Sequence, residues 1–167
     1  MSLAHAAILP GVAFLLLCGG CSRTPSESGS GTAAGTGITQ RLEKLTGGPL
    51  WNIESVGPVG EAWKNQSFDL PAHEQLTIVG WAVDQKAKSA AGGVEVAIDG
   101  VPYTADYGKS RPDVAAAQKN PQYENSGFSV ALAAGKLSPG THTALIRVLT
   151  HDRTGFWEVG PYTLNLR

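Results

Sequence analysis

The sequence predicts an all-β protein, an antiparallel β-sandwich of about seven or eight strands with one short helical insert. Three observations predict it. Short apolar runs with period-two alternation recur at close spacing through residues 50–167, and turn residues separate them. The pair Asp99-Gly100 joins two such runs, the pattern of a tight hairpin. Gly (21) and Pro (10) are plentiful, which suits many turns and few long helices.

Taken in order, the strand-like segments begin with Leu50–Val56, which Gly57-Pro58 breaks. Gln66–Leu70 reads as a short edge piece before Pro71. Leu76–Val83 is the longest apolar run and reads as a strand covered on both faces. It ends in Gly80-Trp81-Ala82-Val83-Asp84, the stretch around which the others are arranged. Val94, Val96 and Ile98 share one face of the next strand, and the Asp99-Gly100 turn sends the chain back through Val101–Asp106. Phe128, Val130 and Leu132 alternate, as do Ala144, Ile146 and Val148, and then Tyr162, Leu164 and Leu166. Between them, Ser110–Gln118 carries a proline at the first helical position, an acid in the first turn at Asp113, and three alanines. A short helix crossing between the sheets is expected there.

The N-terminal part has another character. Val12–Cys18, with Ala6–Leu9 before it, has the length of a signal-peptide apolar core and is too short to span a bilayer, which takes about 20 residues. Gly19-Gly20-Cys21 resembles the lipobox of bacterial lipoproteins, with departures at Cys18, where that family usually has Leu, and in a leader without Lys or Arg. The resemblance implies a lipoprotein signal peptide over residues 1–20 and a multiply acylated, palmitate-type anchor on Cys21. It further implies a cell-envelope location, in the outer membrane if the cell is Gram-negative, since Ser22 rather than Asp follows the cysteine. Residues 21–37 are nearly all Ser, Thr, Gly, Ala and Pro, the composition of a disordered tether with a reach of roughly 20–25 Å. Residues 38–48 read as a short spacer, helical or leading into a strand, and residues 49–167 as the sandwich domain.

Within that domain the series Gly80-Trp81-Ala82-Val83-Asp84, Ile98-Asp99-Gly100, Tyr107-Gly108, Arg111-Pro112-Asp113-Val114 and Ser126-Gly127-Phe128 resembles an immunoglobulin-like bacterial domain found on exported proteins. The resemblance implies the sandwich fold and an accessory role whose ligand it leaves open.

Charge and residue chemistry bound the function. Thirteen basic residues against 14 acidic give a net charge of −1, which offers no basic face for nucleic acid. Both cysteines lie in the first 21 residues, so the domain can form neither an internal disulfide nor a thiolate metal site. His73, His142 and His151 do not accompany a recognisable nucleophile, so no catalytic residues, metal or cofactor are expected. Two constellations remain. Asp84, Arg111 and Asp113 read as a structural brace in which Arg111 bonds Asp84 or nearby carbonyls and pins the helical insert to the sheet. Trp81, Tyr107, Phe156 and Trp157 read as an aromatic platform for a sugar ring or peptide, with Trp157 foremost. The expectation is a non-catalytic envelope lipoprotein that binds an envelope glycan or a protein partner, with a structural accessory subunit as the alternative and a small hydrolase behind both.

Overall fold

The computed structural model describes residues 37–167; the expected leader, the Cys21 anchor and nearly all of the tether lie outside the described residues. Twelve strand segments are present: β1 (Glu43–Lys44), β2 (Leu50–Val56), β3 (Val59–Gly60), β4 (Ser67–Leu70), β5 (Leu76–Asp84), β6 (Ser89–Ala90), β7 (Gly93–Ile98), β8 (Val101–Thr104), β9 (Asp106–Lys109), β10 (Gly127–Leu132), β11 (Gly140–Leu149) and β12 (Gly155–Leu166). They exceed the expected seven or eight because β1, β3 and β6 are two-residue pieces and one run is split. The only α-helix among the described residues is α1 (Pro112–Ala117).

Two sheets form. One runs β1-β12-β11-β7-β8, with β4 also on β12; the other runs β3-β2-β5-β10-β9, with β6 on β5. Pairing is antiparallel except where β1 and β4 each lie parallel to β12. The β7–β8 hairpin closes through Asp99 (φ 49°) and Gly100 (φ 81°), the two positive-φ residues that such a turn requires. After β8 the chain changes sheets at Ala105, so the expected continuous strand Val101–Asp106 is two short edge strands in different sheets. Consequently α1 does not cross between sheets. It links β9 to β10 within one sheet and lies on that sheet's outer face, where Val114 and Tyr123 bury Val83 against Leu50 and Trp81.

The core lies between the layers. Val94, Val96, Ile98, Ile146 and Val148 of the first sheet meet Ile53, Ile78, Phe128, Val130 and Leu132 of the second. Gly80 is crowded by the strands that flank it in its own sheet: a Cβ there would sit 2.2 Å from the carbonyl oxygen of Asn52 in β2 and 3.0 Å from the Phe128 ring in β10. In β12 the alternation changes phase. Ile146 faces Val159 but Ala144 faces Tyr162, so β12 carries one extra residue at its cis Gly160–Pro161 step. Trp157 and Val159 therefore face the core before the bulge, and Tyr162, Leu164 and Leu166 after it. The outer face of β5 is only partly covered, since Thr77, Val79 and Trp81 are half-buried rather than sealed.

Residues 37–45, the last residue of the expected tether and most of the expected 38–48 spacer, form a strap across the outer face of the first sheet. Ile38–Arg41 is a 3-10 turn, β1 pairs with Gly155 and Phe156, and the Leu45 N–H donates to the Phe156 carbonyl. All six residues of β7 are buried although only one face meets the core. Glu95, fully buried, explains this: the Thr39 hydroxyl donates to its Oε1 at 2.6 Å and Arg147 Nη1 donates to the same oxygen at 3.0 Å. Arg147 also donates to Glu158, whose other oxygen takes Lys44 of the strap. A charge in an apolar setting is tolerable only when paired and hydrogen-bonded, and the strap supplies part of that pairing. Gly37 permits the approach, because a Cβ would lie 2.7 Å from Pro102 and 2.8 Å from Glu95 Oε2.

Candidate functional site

At one end of the sandwich the turn Gln85–Lys88 stands up as a ridge between β5 and β6. Asp84, only 4 % exposed, accepts from the Ala87 N–H on one oxygen and from the His151 N–H on the other, both at 2.9 Å. An aspartate that bonds backbone a few residues on closes its own turn. Here the second oxygen also fastens that turn to the β11–β12 connection. On the opposite flank, Asn120 Nδ2 donates to the Lys88 carbonyl at 3.0 Å and its Oδ1 accepts from the Gln122 N–H. The ridge is thus held from both sides, with a hollow on each.

The first hollow, about 440 Å³, lies between the ridge and residues 150–154, with Leu45 and Trp157 in its wall. Its polar groups are largely committed to one another. Asp152 Oδ1 accepts from the Thr150 hydroxyl and from the N–H and hydroxyl of Thr154, and these bonds hold its carboxyl below the usual carboxylate range. The second hollow, about 560 Å³, lies between the ridge and the helical insert. Gln85 and Lys88 come from the ridge, Gln118, Lys119 and Gln122 from the insert, and Leu50 and Tyr123 form part of the wall. The three glutamine side chains make no hydrogen bond to another described residue, so their amide donors and acceptors are free for a ligand.

The aromatic platform does not form as an exposed strip. Trp157 is 5 % exposed and faces the core, while Phe156, one residue earlier and so on the opposite side of β12, is buried beside Arg147. The Tyr107 hydroxyl donates to the Ala82 carbonyl and accepts from the Ala91 N–H, and burial pushes its pKa up to about 12. That ring ties β9 to β5. Trp81 lies beneath the insert. Of the four, Trp157 reaches the first hollow and Trp81 packs with Tyr123 beside the second.

The brace has a different partner from the one expected. Arg111 does not meet Asp84. It makes a two-pronged bond to Glu54 of β2 (2.7 and 2.9 Å) and another to Asp113 (2.6 and 2.8 Å). Its stem passes over Gly127, where a Cβ would lie 3.0 Å from Arg111 Cγ. The guanidinium therefore spans from the start of α1 to β2. Its hydrogen bonds pull the Asp113 carboxyl down to about 2 and raise the Arg111 pKa.

His142 is a second staple. Nδ1 lies 2.6 Å from Asp99 Oδ2 and Nε2 lies 2.8 Å from the Ser138 carbonyl. Both neighbours are acceptors, so the ring is fully satisfied only as the imidazolium, and its pKa is raised by the Asp99 bond and then by Ser138. Asp99 is lowered, first by the Thr143 N–H and then by His142. Among the described residues no group of three or more His, Cys, Asp or Glu side chains is placed to hold a metal ion.

Sequence reasoning missed Glu54, Glu95 and Thr39, whose partners lie more than 50 residues away, and it missed Lys88, Lys119 and the glutamines, which read as ordinary solvated loop residues. Comparison with protein-family models, with curated proteins and with solved structures finds no match for this chain.

Proposed function

We propose that this chain is a non-catalytic, lipid-anchored protein of the bacterial cell envelope. Its sandwich, of the immunoglobulin-like type, acts as a binding module through the end that carries the Gln85–Lys88 ridge. The observation that carries the binding half is the contrast in hydrogen bonding. Buried and half-buried polar side chains are consumed by braces such as Arg111–Glu54 and Glu95–Arg147, whereas the ridge and insert gather three exposed glutamines, none bonded to another described residue, around one hollow. Ligand sites gather a few convergent polar groups in a concavity. The anchoring half rests on the lipobox-like Gly19-Gly20-Cys21 and on the strap, which seats the chain that follows the tether against the sandwich.

The test is co-sedimentation of the full chain, purified in detergent, with peptidoglycan sacculi and insoluble polysaccharides, wild type beside Gln85→Ala/Gln122→Ala. Saturable retention that the double variant loses is the expected result. Retention untouched by the variant would remove the ridge from the account, and no retention on any envelope material would turn the search to protein partners.

A further inference from the structure

The second hollow has a chemistry of its own. Its polar lining consists of amides and ammonium groups, and no carboxylate contributes to it. Lys44, Lys64 and Lys109 are paired with Glu158, Glu61 and Asp106, whereas Lys88 and Lys119, like Lys86 and Lys136, have no ion-pair partner among the described residues; Lys88 and Lys119 are the two of these that share one hollow. Both lysines have left-handed backbones, each with φ 52°, Lys88 at the end of the ridge turn and Lys119 in the cap that ends α1, places where glycine fits with less strain. The Asn120–Lys88 bond joins their two loops and fixes the lysines' spacing. Two unpaired cations thus stand on one hollow that no carboxylate lines.

We propose that the hollow between the ridge and the helical insert binds a carboxylate-bearing saccharide, with Lys88 and Lys119 taking the carboxylates and Gln85, Gln118 and Gln122 the hydroxyls. A primary amide offers a donor and an acceptor side by side and so matches adjacent sugar hydroxyls, while an ammonium group supplies the charge-assisted bond to a carboxylate. The volume lies within the range of small-ligand sites, about 300–1,000 Å³. The walls are mainly turns and the helical insert, which favours a compact ring over an extended peptide added along a strand edge. This inference rests on the reading of the ridge as the binding end.

The experiment is calorimetric titration of the full chain in detergent with trigalacturonate, maltotriose and triglutamate, each for wild type, Lys88→Gln/Lys119→Gln and Lys88→Gly/Lys119→Gly. Trigalacturonate is expected to bind wild type, to bind each double variant at least about tenfold more weakly, and to weaken with salt. The glycine variant is expected to melt higher than wild type while losing the ligand, which separates a binding role from a folding one. Equal binding of maltotriose would overturn the anionic requirement, and equal binding of triglutamate would overturn the saccharide. If no trisaccharide binds but sacculi still retain wild type and not the lysine variants, only the ligand class falls. If retention is also unaffected by those variants, the ridge reading falls with it.

Discussion

Glu95→Ala is the perturbation on which the structure speaks most directly, because that carboxylate is 0 % exposed and ties three segments together. The substitution removes its bonds from the Thr39 hydroxyl and from Arg147 Nη1, and the weaker approach of the Thr39 N–H at 3.4 Å. Deleting one partner of a buried ion pair costs about 3–5 kcal/mol, mostly through the charge left behind. Arg147 keeps Glu158 and its side chain is 20 % exposed, so the low end, about 3 kcal/mol, applies. For a domain of this size each kcal/mol moves Tm by about 3–5 °C, which gives a fall of about 9–15 °C. Hydrogen exchange should show residues 37–44 losing protection before the remaining strands do. A fall of less than about 3 °C, or a strap as protected as in wild type, would refute the view that Glu95 is the strap's anchor.

Three further outcomes follow from the same geometry, and a fourth from the lipobox-like Cys21. Arg111→Ala removes the two-pronged bonds to Glu54 and Asp113; since Glu54 is partly solvated, the loss is about 1–2 kcal/mol and a Tm fall of about 3–10 °C, and an unchanged Tm would leave the helical insert unbraced. His142 has a folded pKa above its unfolded value of about 6.5, so its contribution is fully present below that pH and disappears as pH rises through the folded value. Melting curves from pH 6 to 9 should therefore show a decline that His142→Gln abolishes, and the same slope in that variant would exclude the staple. Asp99, with its pKa lowered, contributes above about pH 4 and loses that contribution as acid brings the pH through its folded value. Cys21→Ser is expected to move the protein from the membrane to the soluble fraction on cell fractionation, and an unaltered membrane share would sink the anchor.

What could be read from the sequence was what depends on neighbours along the chain. Asp99-Gly100 specifies its hairpin locally, and the alternations at 94–98, 128–132 and 144–148 each declare a buried face without reference to the rest. Pro112 at the first helical position placed α1 correctly for the same reason. The brace was half legible: Arg111 and Asp113 are two residues apart, but Glu54 is 57 residues away and nothing near it marks it as the partner. Phe156-Trp157 misled because exposure in a strand depends on phase, and the extra residue in β12 resets that phase beyond the point where the Tyr162–Leu166 alternation can be extrapolated. The strap was illegible because the spacing of Ile38, Leu42 and Leu45 reads as one face of a short helix and because Thr39 is held by a carboxylate 56 residues on. Lys88 and Lys119 gave no signal at all, since a left-handed backbone at lysine is a property of the folded loop and not of its composition.

We propose that the ridge end is where this module meets its ligand. Hydrogen exchange of the full chain, free and bound to isolated envelope material, tests it in one experiment. New protection is expected at residues 85–88 and 118–123 alone, with the β7–β8 hairpin and the strap unchanged. Protection that appears instead along the edge strands β8 or β4, with the ridge exchanging as before, would contradict it.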